Sequence, residues 1–106
     1  MQKRRIAANR VYTAPQTHWN NHVVELENGY VTSIYPLNGE QAMTEWLGGI
    51  IVVTSLQTTN LNSIRSIDDF YTDPNGQNNP SVAYHISNIP VQSHEWKGNR
   101  PVTRIA

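Results

Sequence analysis

Apolar residues alternate with polar ones along much of this chain, and only one segment shows the wider spacing of a helix face. Residues 5–12 carry Ile6, Ala8 and Val11 among polar neighbours, the period-two signature of a half-buried strand. The run Thr13-Ala14-Pro15-Gln16-Thr17 breaks that pattern, because proline cannot donate to a ladder. Residues 22–27 and 30–35 alternate again on either side of Asn28-Gly29. Both positions of the tightest hairpin turn need positive φ, which Asn-Gly tolerates, so a β-hairpin is predicted here. In a two-residue register Leu26 faces Val31, with Val24 on the same face, while Glu25, Glu27, Tyr30 and Thr32 share the wetter side. Ile34 falls out of step, which predicts a bulge near Ser33 or a second partly covered surface.

Pro36-Leu37-Asn38-Gly39 reads as a further turn and residues 40–45 as an irregular connection or one helical turn. Residues 46–53 resume a strand whose run Ile50-Ile51-Val52-Val53 does not alternate, implying cover on both faces. Gly48-Gly49 marks a bulge or a close backbone approach; no phosphate-loop pattern follows it. Residues 54–80 turn to Asn, Gln, Ser, Thr and Asp and read as a polar insertion. Within it Ile64, Ile67 and Phe70 stand at helical spacing, with Asn60 or Asn62 as the cap. Residues 72–80 form a long polar loop. Val82, Tyr84 and Ile86 then alternate against Ala83, His85 and Ser87 in a last well-marked strand, ended by Pro90, and residues 101–105 add a short closing one.

The fold predicted is mainly β: a single domain over residues 1–106, an open barrel or β-sandwich with at most one short helix. A chain of 106 residues suits one modest core. Charged residues are only 15%, which favours strands and loops over salt-bridged helices. Eight basic and eight acidic residues leave no net field to hold a polyanion or an anionic membrane, so neither nucleic acid nor membrane is an expected partner. Lys3, Arg4, Arg5 and Arg10 cluster near the start, but read as a solvated flank of the first strand. The apolar run at 50–53 is far shorter than the roughly 20 residues that span a bilayer, and no secretory signal follows the basic residues. Cysteine is absent, which excludes disulfides and thiolate chemistry and fits a bacterial cytoplasmic protein.

Candidate chemistry is sparse. His18 and His22 stand four apart, a zinc spacing on a helix, but on a strand they are about 13 Å apart. Glu25 and Glu27 share a hairpin face and could pair as acid and base, though carboxylates there more often protect an edge. Asp68-Asp69 reads as a solvent-facing turn, and no nucleophile elbow frames a serine. No metal, cofactor or catalytic residue is expected. Trp19, Trp46, Trp96 and five tyrosines either close the ends of a small β core or offer a flat platform to a ligand.

The order of elements in residues 5–53 resembles the opening of the amidohydrolase superfamily. Its pieces are residues 6–12, the hairpin Val23-Val24-Glu25-Leu26-Glu27-Asn28-Gly29-Tyr30-Val31-Thr32-Ser33-Ile34, and Leu47-Gly48-Gly49-Ile50-Ile51-Val52. The resemblance implies the small β "composite" domain that accompanies a metal-binding barrel, with the C-terminal strands returning to it. Family members follow the apolar strand with a His-x-His metal pair. Here Val53 is followed by Thr54-Ser55-Leu56-Gln57-Thr58, and 106 residues leave no room for a barrel of roughly 250.

The first expectation is therefore a non-enzymatic, stand-alone module that self-associates or docks on another chain through a flank once turned to the barrel. Trp46, Ile50, Val52 and Tyr30 are its candidate interface. The second is a small-ligand or glycan-binding domain using Trp19, Trp96 and the amide-rich loop around Asn75. A third, a hydrolase remnant with residual activity, needs convergent metal ligands that the spacings do not supply.

Overall fold

The computed structural model describes residues 3–39, 44–56, 64–71, 80–87, 95–96 and 102–105. Strands β1 (Lys3–Ala14), β2 (Thr17–Glu27) and β3 (Tyr30–Pro36) form an antiparallel meander. Short β4 (Thr44–Trp46) and then β5 (Ile50–Thr54) run parallel to β1, one after the other along its far side. Antiparallel β6 (Val82–Ile86) and β7 (Val102–Ile105) complete a seven-stranded sheet of order β3-β2-β1-β5-β6-β7. A 3-10 turn, Ile67–Tyr71, packs on one face. The protein is mainly β, as its alternation predicts.

The hairpin turn adopts φ of 55° at Asn28 and 86° at Gly29, and Leu26 lies opposite Val31. Glu25 pairs with Ser33 while Leu26 pairs with Val31, so Thr32 is the extra residue of a bulge. That bulge returns Ile34 to the same face as its partner Val24. The strand β2 begins five residues earlier than the alternation suggests, at Thr17 rather than His22. Pro15 does not end the sheet: it occupies the turn between Ala14 and Thr17, where its fixed φ is useful and no ladder N–H is needed.

The stretch expected as one strand from Trp46 is two. Five residues separate Arg5 from Arg10 on β1, but six separate their partners Thr44 and Ile50, so one residue bulges. Gly48 and Gly49 carry it at φ of 68° and 65°. A Cβ on Gly49 would stand 2.8 Å from the Ile86 carbonyl oxygen, so the close approach read from the sequence is real. Asn9 Oδ1 accepts a hydrogen bond from Gly49 N at 2.9 Å, and His85 Nε2 donates to Gly48 O at 3.0 Å.

The sheet buries both of its faces in different places. Ile6, Ala8, Val11, Val24, Leu26, Ile51, Val53, Ala83 and Ile105 form an inner core against which Val31, Ile34 and Leu47 pack. Val31 N donates to Ser81 O at 2.8 Å. These residues belong to opposite corners: Val31 faces Leu26, near the start of β1, whereas Ser81 precedes Val82, the partner of Thr54 at the end of β5. Their meeting coils the sheet into a half-closed barrel. On the other face, Ile50, Val52, Val82, Tyr84 and Ile86 are covered by Ile64, Ile67, Phe70 and Trp96. Every residue of β5 is buried, which explains why its apolar run does not alternate.

The cover is tied down by polar bonds. Thr54 Oγ1 donates to Phe70 O at 2.6 Å and accepts from Leu56 N at 3.1 Å. The Tyr71 hydroxyl donates to Val53 O at 2.8 Å, that of Tyr84 to Leu56 O at 2.9 Å, and the Trp96 indole to Ile64 O at 3.0 Å. Ile64, Ile67 and Phe70 are buried together as read, but Ile67 and Phe70 lie on a 3-10 turn in place of an α-helix and Ile64 precedes it. Asn60, Asn62 and Pro90 lie outside the described residues.

Candidate functional site

The local geometry of β2 sets the most distinctive surface. Trp19 pairs with Val11 and His22 with Ala8, and both of those partners belong to the inner core. Directly paired residues share a face, so Trp19 and His22 share one although they are three apart. A regular strand would send them to opposite sides. The phase changes at Asn21, which adopts a left-handed φ of 54°, a conformation asparagine accepts more readily than most residues. The Trp19 and His22 rings stand with centroids 5.5 Å apart at 33°.

Thr13 reaches the same place through a second irregularity. Tyr12 pairs with His18 and Ala14 with Thr17, which leaves Thr13 as the extra residue of a bulge. Its Oγ1 accepts a hydrogen bond from Trp19 Nε1 at 3.3 Å. With Ile34 from β3, these side chains line an open groove of about 320 Å³ on the inner-core side of the sheet. Trp19 keeps 47% of its surface exposed there. His22 Nδ1 lies 3.0 Å from Asn20 O. A carbonyl only accepts, so Nδ1 carries the hydrogen, and in that tautomer Nε2 is the acceptor. The four lining side chains thus supply a flat apolar surface, one nitrogen acceptor and one hydroxyl, without a carboxylate to form an acid–base pair.

His18 faces the other way. It pairs with Tyr12, its ring 5.3 Å from that of the tyrosine, and Tyr12 packs in the second core. The left-handed turn at Asn21 therefore separates His18 from His22. Among the described residues no group of three or more His, Cys, Asp or Glu could hold a metal ion, and no helix is long and apolar enough to cross a membrane.

The outer face of β3-β2-β1-β4 carries a different set. Glu25 accepts from Arg5 Nε at 2.9 Å and pairs with Lys3 Nζ at 3.6 Å. The hydrogen bond from Arg5 holds the Glu25 carboxyl below its ordinary range and raises the guanidinium in turn. Glu25 is thereby committed as a charged partner, which argues against a proton-donor role beside Glu27. Trp46 on β4 is 53% exposed and Tyr30, at the end of the hairpin, 40%. On the opposite side, that of Leu26 and Ile6, their partners Arg4 and Glu45 form an ion pair at 3.0 Å.

The other expected site residues lie elsewhere. Ile50 and Val52 are fully buried in the second core and offer nothing to an exposed flank, because the covering segment occupies their face. Trp96 is also buried, with its indole N–H committed to Ile64 O, so it is part of that cover and not a platform. Asp69 Oδ2 accepts from Arg65 N and Ser66 N at 2.8 and 3.2 Å and fixes the turn leading into the 3-10 segment. Asn75 and His94 lie outside the described residues. Of the described platform candidates, Trp19 stands at a groove, beside Thr13, His22 and Ile34, which sequence reasoning did not group with it. The signal available was Asn20-Asn21, two residues poorly suited to a strand, between an aromatic and a histidine three apart. No protein-family model, curated protein or solved structure matches this chain.

Proposed function

We propose that this chain is a non-catalytic binding domain whose ligand seats in the groove of Thr13, Trp19, His22 and Ile34. The observation that carries the reading is the convergence of an exposed indole and an imidazole in one open groove of about 320 Å³, an apolar recess with a few polar groups of the kind small molecules occupy. Two bulges or kinks in adjacent strands are needed to bring these groups together, and such irregularities concentrate next to binding sites. The absence of cysteine supports a cytoplasmic setting. The test is a ¹H–¹⁵N titration of the intact chain with a library of soluble small fragments. Shifts that gather on the Trp19 indole and His22 are expected; shifts scattered evenly over the surface, or none, would sink the reading.

A second reading, an assembly module, is favoured by Trp46, whose ring is half exposed on a strand that pairs only with β1 among the described residues. The resemblance of residues 5–53 to the composite domain of metal-dependent hydrolases points the same way, since such a domain would have a flank made to be covered. Without Ile50 and Val52 that interface reduces to Trp46 and Tyr30. Light scattering over a concentration series separates the readings: a stable dimer weakened by Trp46→Ala supports assembly, whereas a monomer throughout removes self-association.

A further inference from the structure

We infer that the groove takes a neutral saccharide ring, stacked on Trp19 with a hydroxyl donating to His22 Nε2. The inference rests on the groove being the binding site, and names the chemical class of its ligand.

Three features select that class. The platform is one broad face: the Trp19 indole is about half exposed, with the His22 ring tilted beside it. The carbon-bound hydrogens on one side of a pyranose ring present an apolar, weakly positive surface of matching shape to the electron-rich indole face. The polar groups then divide by direction. Asn20 O takes the Nδ1 hydrogen of His22, leaving Nε2 to accept. Thr13 Oγ1 already accepts from the Trp19 indole, which leaves its own hydrogen to donate. A ligand must supply a donor to one and an acceptor to the other, and neighbouring sugar hydroxyls do both. A purely apolar ring would leave these groups unpaired on burial, at a cost that lowers its affinity.

Charge excludes the main competitor. A nucleotide could stack on Trp19 as well, but none of the four lining side chains carries the fixed positive charge that phosphate recognition uses. The size agrees: about 320 Å³, open to solvent, accepts one or two rings.

The experiment is a ¹H–¹⁵N titration of the intact chain with cello-, xylo-, malto- and chito-tetraose, and in parallel with adenosine 5′-monophosphate and p-cresol. At least one oligosaccharide is expected to shift the Trp19 indole signal and saturate. Trp19→Ala should weaken that sugar by about tenfold or more, equivalent to roughly 1.4 kcal/mol. His22→Phe, which keeps a flat ring and removes the acceptor, should weaken it severalfold, and His22→Gln, which restores an acceptor oxygen, should recover part of the loss. Unchanged circular dichroism of each variant separates a lost contact from a lost fold. If only the nucleotide or the cresol shifts the indole, the groove is a binding site and the saccharide assignment is overturned. If no sugar, nucleotide or cresol moves Trp19 at saturating concentrations, the groove reading falls with it.

Discussion

Asn21 decides which side of the sheet the Trp19 and His22 rings occupy, and its side chain is not what does so. Its backbone φ of 54° changes the face on which the side chains before and after it lie, while the pairing with β1 keeps its register, Asn20 with Arg10 and His22 with Ala8; Leu37 N, which donates to Asn21 O at 2.9 Å, holds the neighbouring chain to that geometry. Asn21→Ala should cost about 1 kcal/mol, the penalty of a Cβ in the left-handed region, and should broaden or shift the Trp19 indole signal. Asn21→Gly should leave both urea stability and that signal close to the parent. Equal stability of the alanine variant would show that the strand does not need the left-handed residue. Glu25 makes a separate residue-scale prediction. Its carboxyl lies below the ordinary value of 4.5 because Arg5 donates to it, so its contribution is fully present above that value. The contribution fades as pH falls through the lower folded value. Glu25→Gln should therefore be less stable than the parent at neutral pH, with the difference shrinking under acid. A constant difference across an acid titration would mean that the ion pair is not its source.

At the scale of elements, the break between β4 and β5 shows how much the residues disclose. Gly48-Gly49 before an apolar run was legible as a bulge or close approach, and both glycines adopt positive φ at the one-residue register shift. Gly49→Ala should cost about 2–4 kcal/mol, since its Cβ would meet the fixed Ile86 carbonyl oxygen at 2.8 Å in a disfavoured backbone conformation. Gly48→Ala, where the nearest atoms lie at 3.5 Å, should lose only the conformational part. Comparable losses in urea denaturation would remove the steric argument. The hairpin, the Thr32 bulge and the buried β5 were readable because each follows from local turn chemistry or from a change of period within a few residues. The groove was not readable, because it depends on rephasing in β1 and β2 together. Three-apart Trp19 and His22 gain a common face only through a backbone state that alternation does not encode. What covers Ile50 and Val52, and the part Trp96 plays in that cover, was hidden for a different reason. An apolar run predicts cover on both faces, but the identity of the covering segment depends on contacts such as that of Trp96 with Ile64, distant in sequence.

For the whole molecule, β5 is a central strand shared by both cores, and every one of its residues is buried. Ile51 and Val53 point into the half-closed barrel, while Ile50 and Val52 point at the 3-10 turn and Trp96. A strand shared in this way couples the two sides: its withdrawal exposes both apolar faces at once, and each buried aliphatic side chain contributes roughly 1.5–3 kcal/mol. Closure adds to the coupling, since Val31 N reaches Ser81 O across opposite corners of the sheet. Pairings such as Arg10 with Ile50 must form between distant parts of the chain, so local pieces gain little before the sheet is assembled. The expected behaviour is one cooperative transition, and the protein contains a reporter on each side: the Trp19 indole at the groove and the Trp96 indole in the second core. Native NMR signals of the two indoles should disappear with the same urea midpoint. Ile50→Ala and Ile51→Ala, each expected to cost about 2–5 kcal/mol, should lower that midpoint for both reporters, although each removes contacts from only one core. Separate midpoints would mean that the cover over Ile50 and Val52 unfolds by itself, leaving the half-closed barrel and its groove standing as an independent unit.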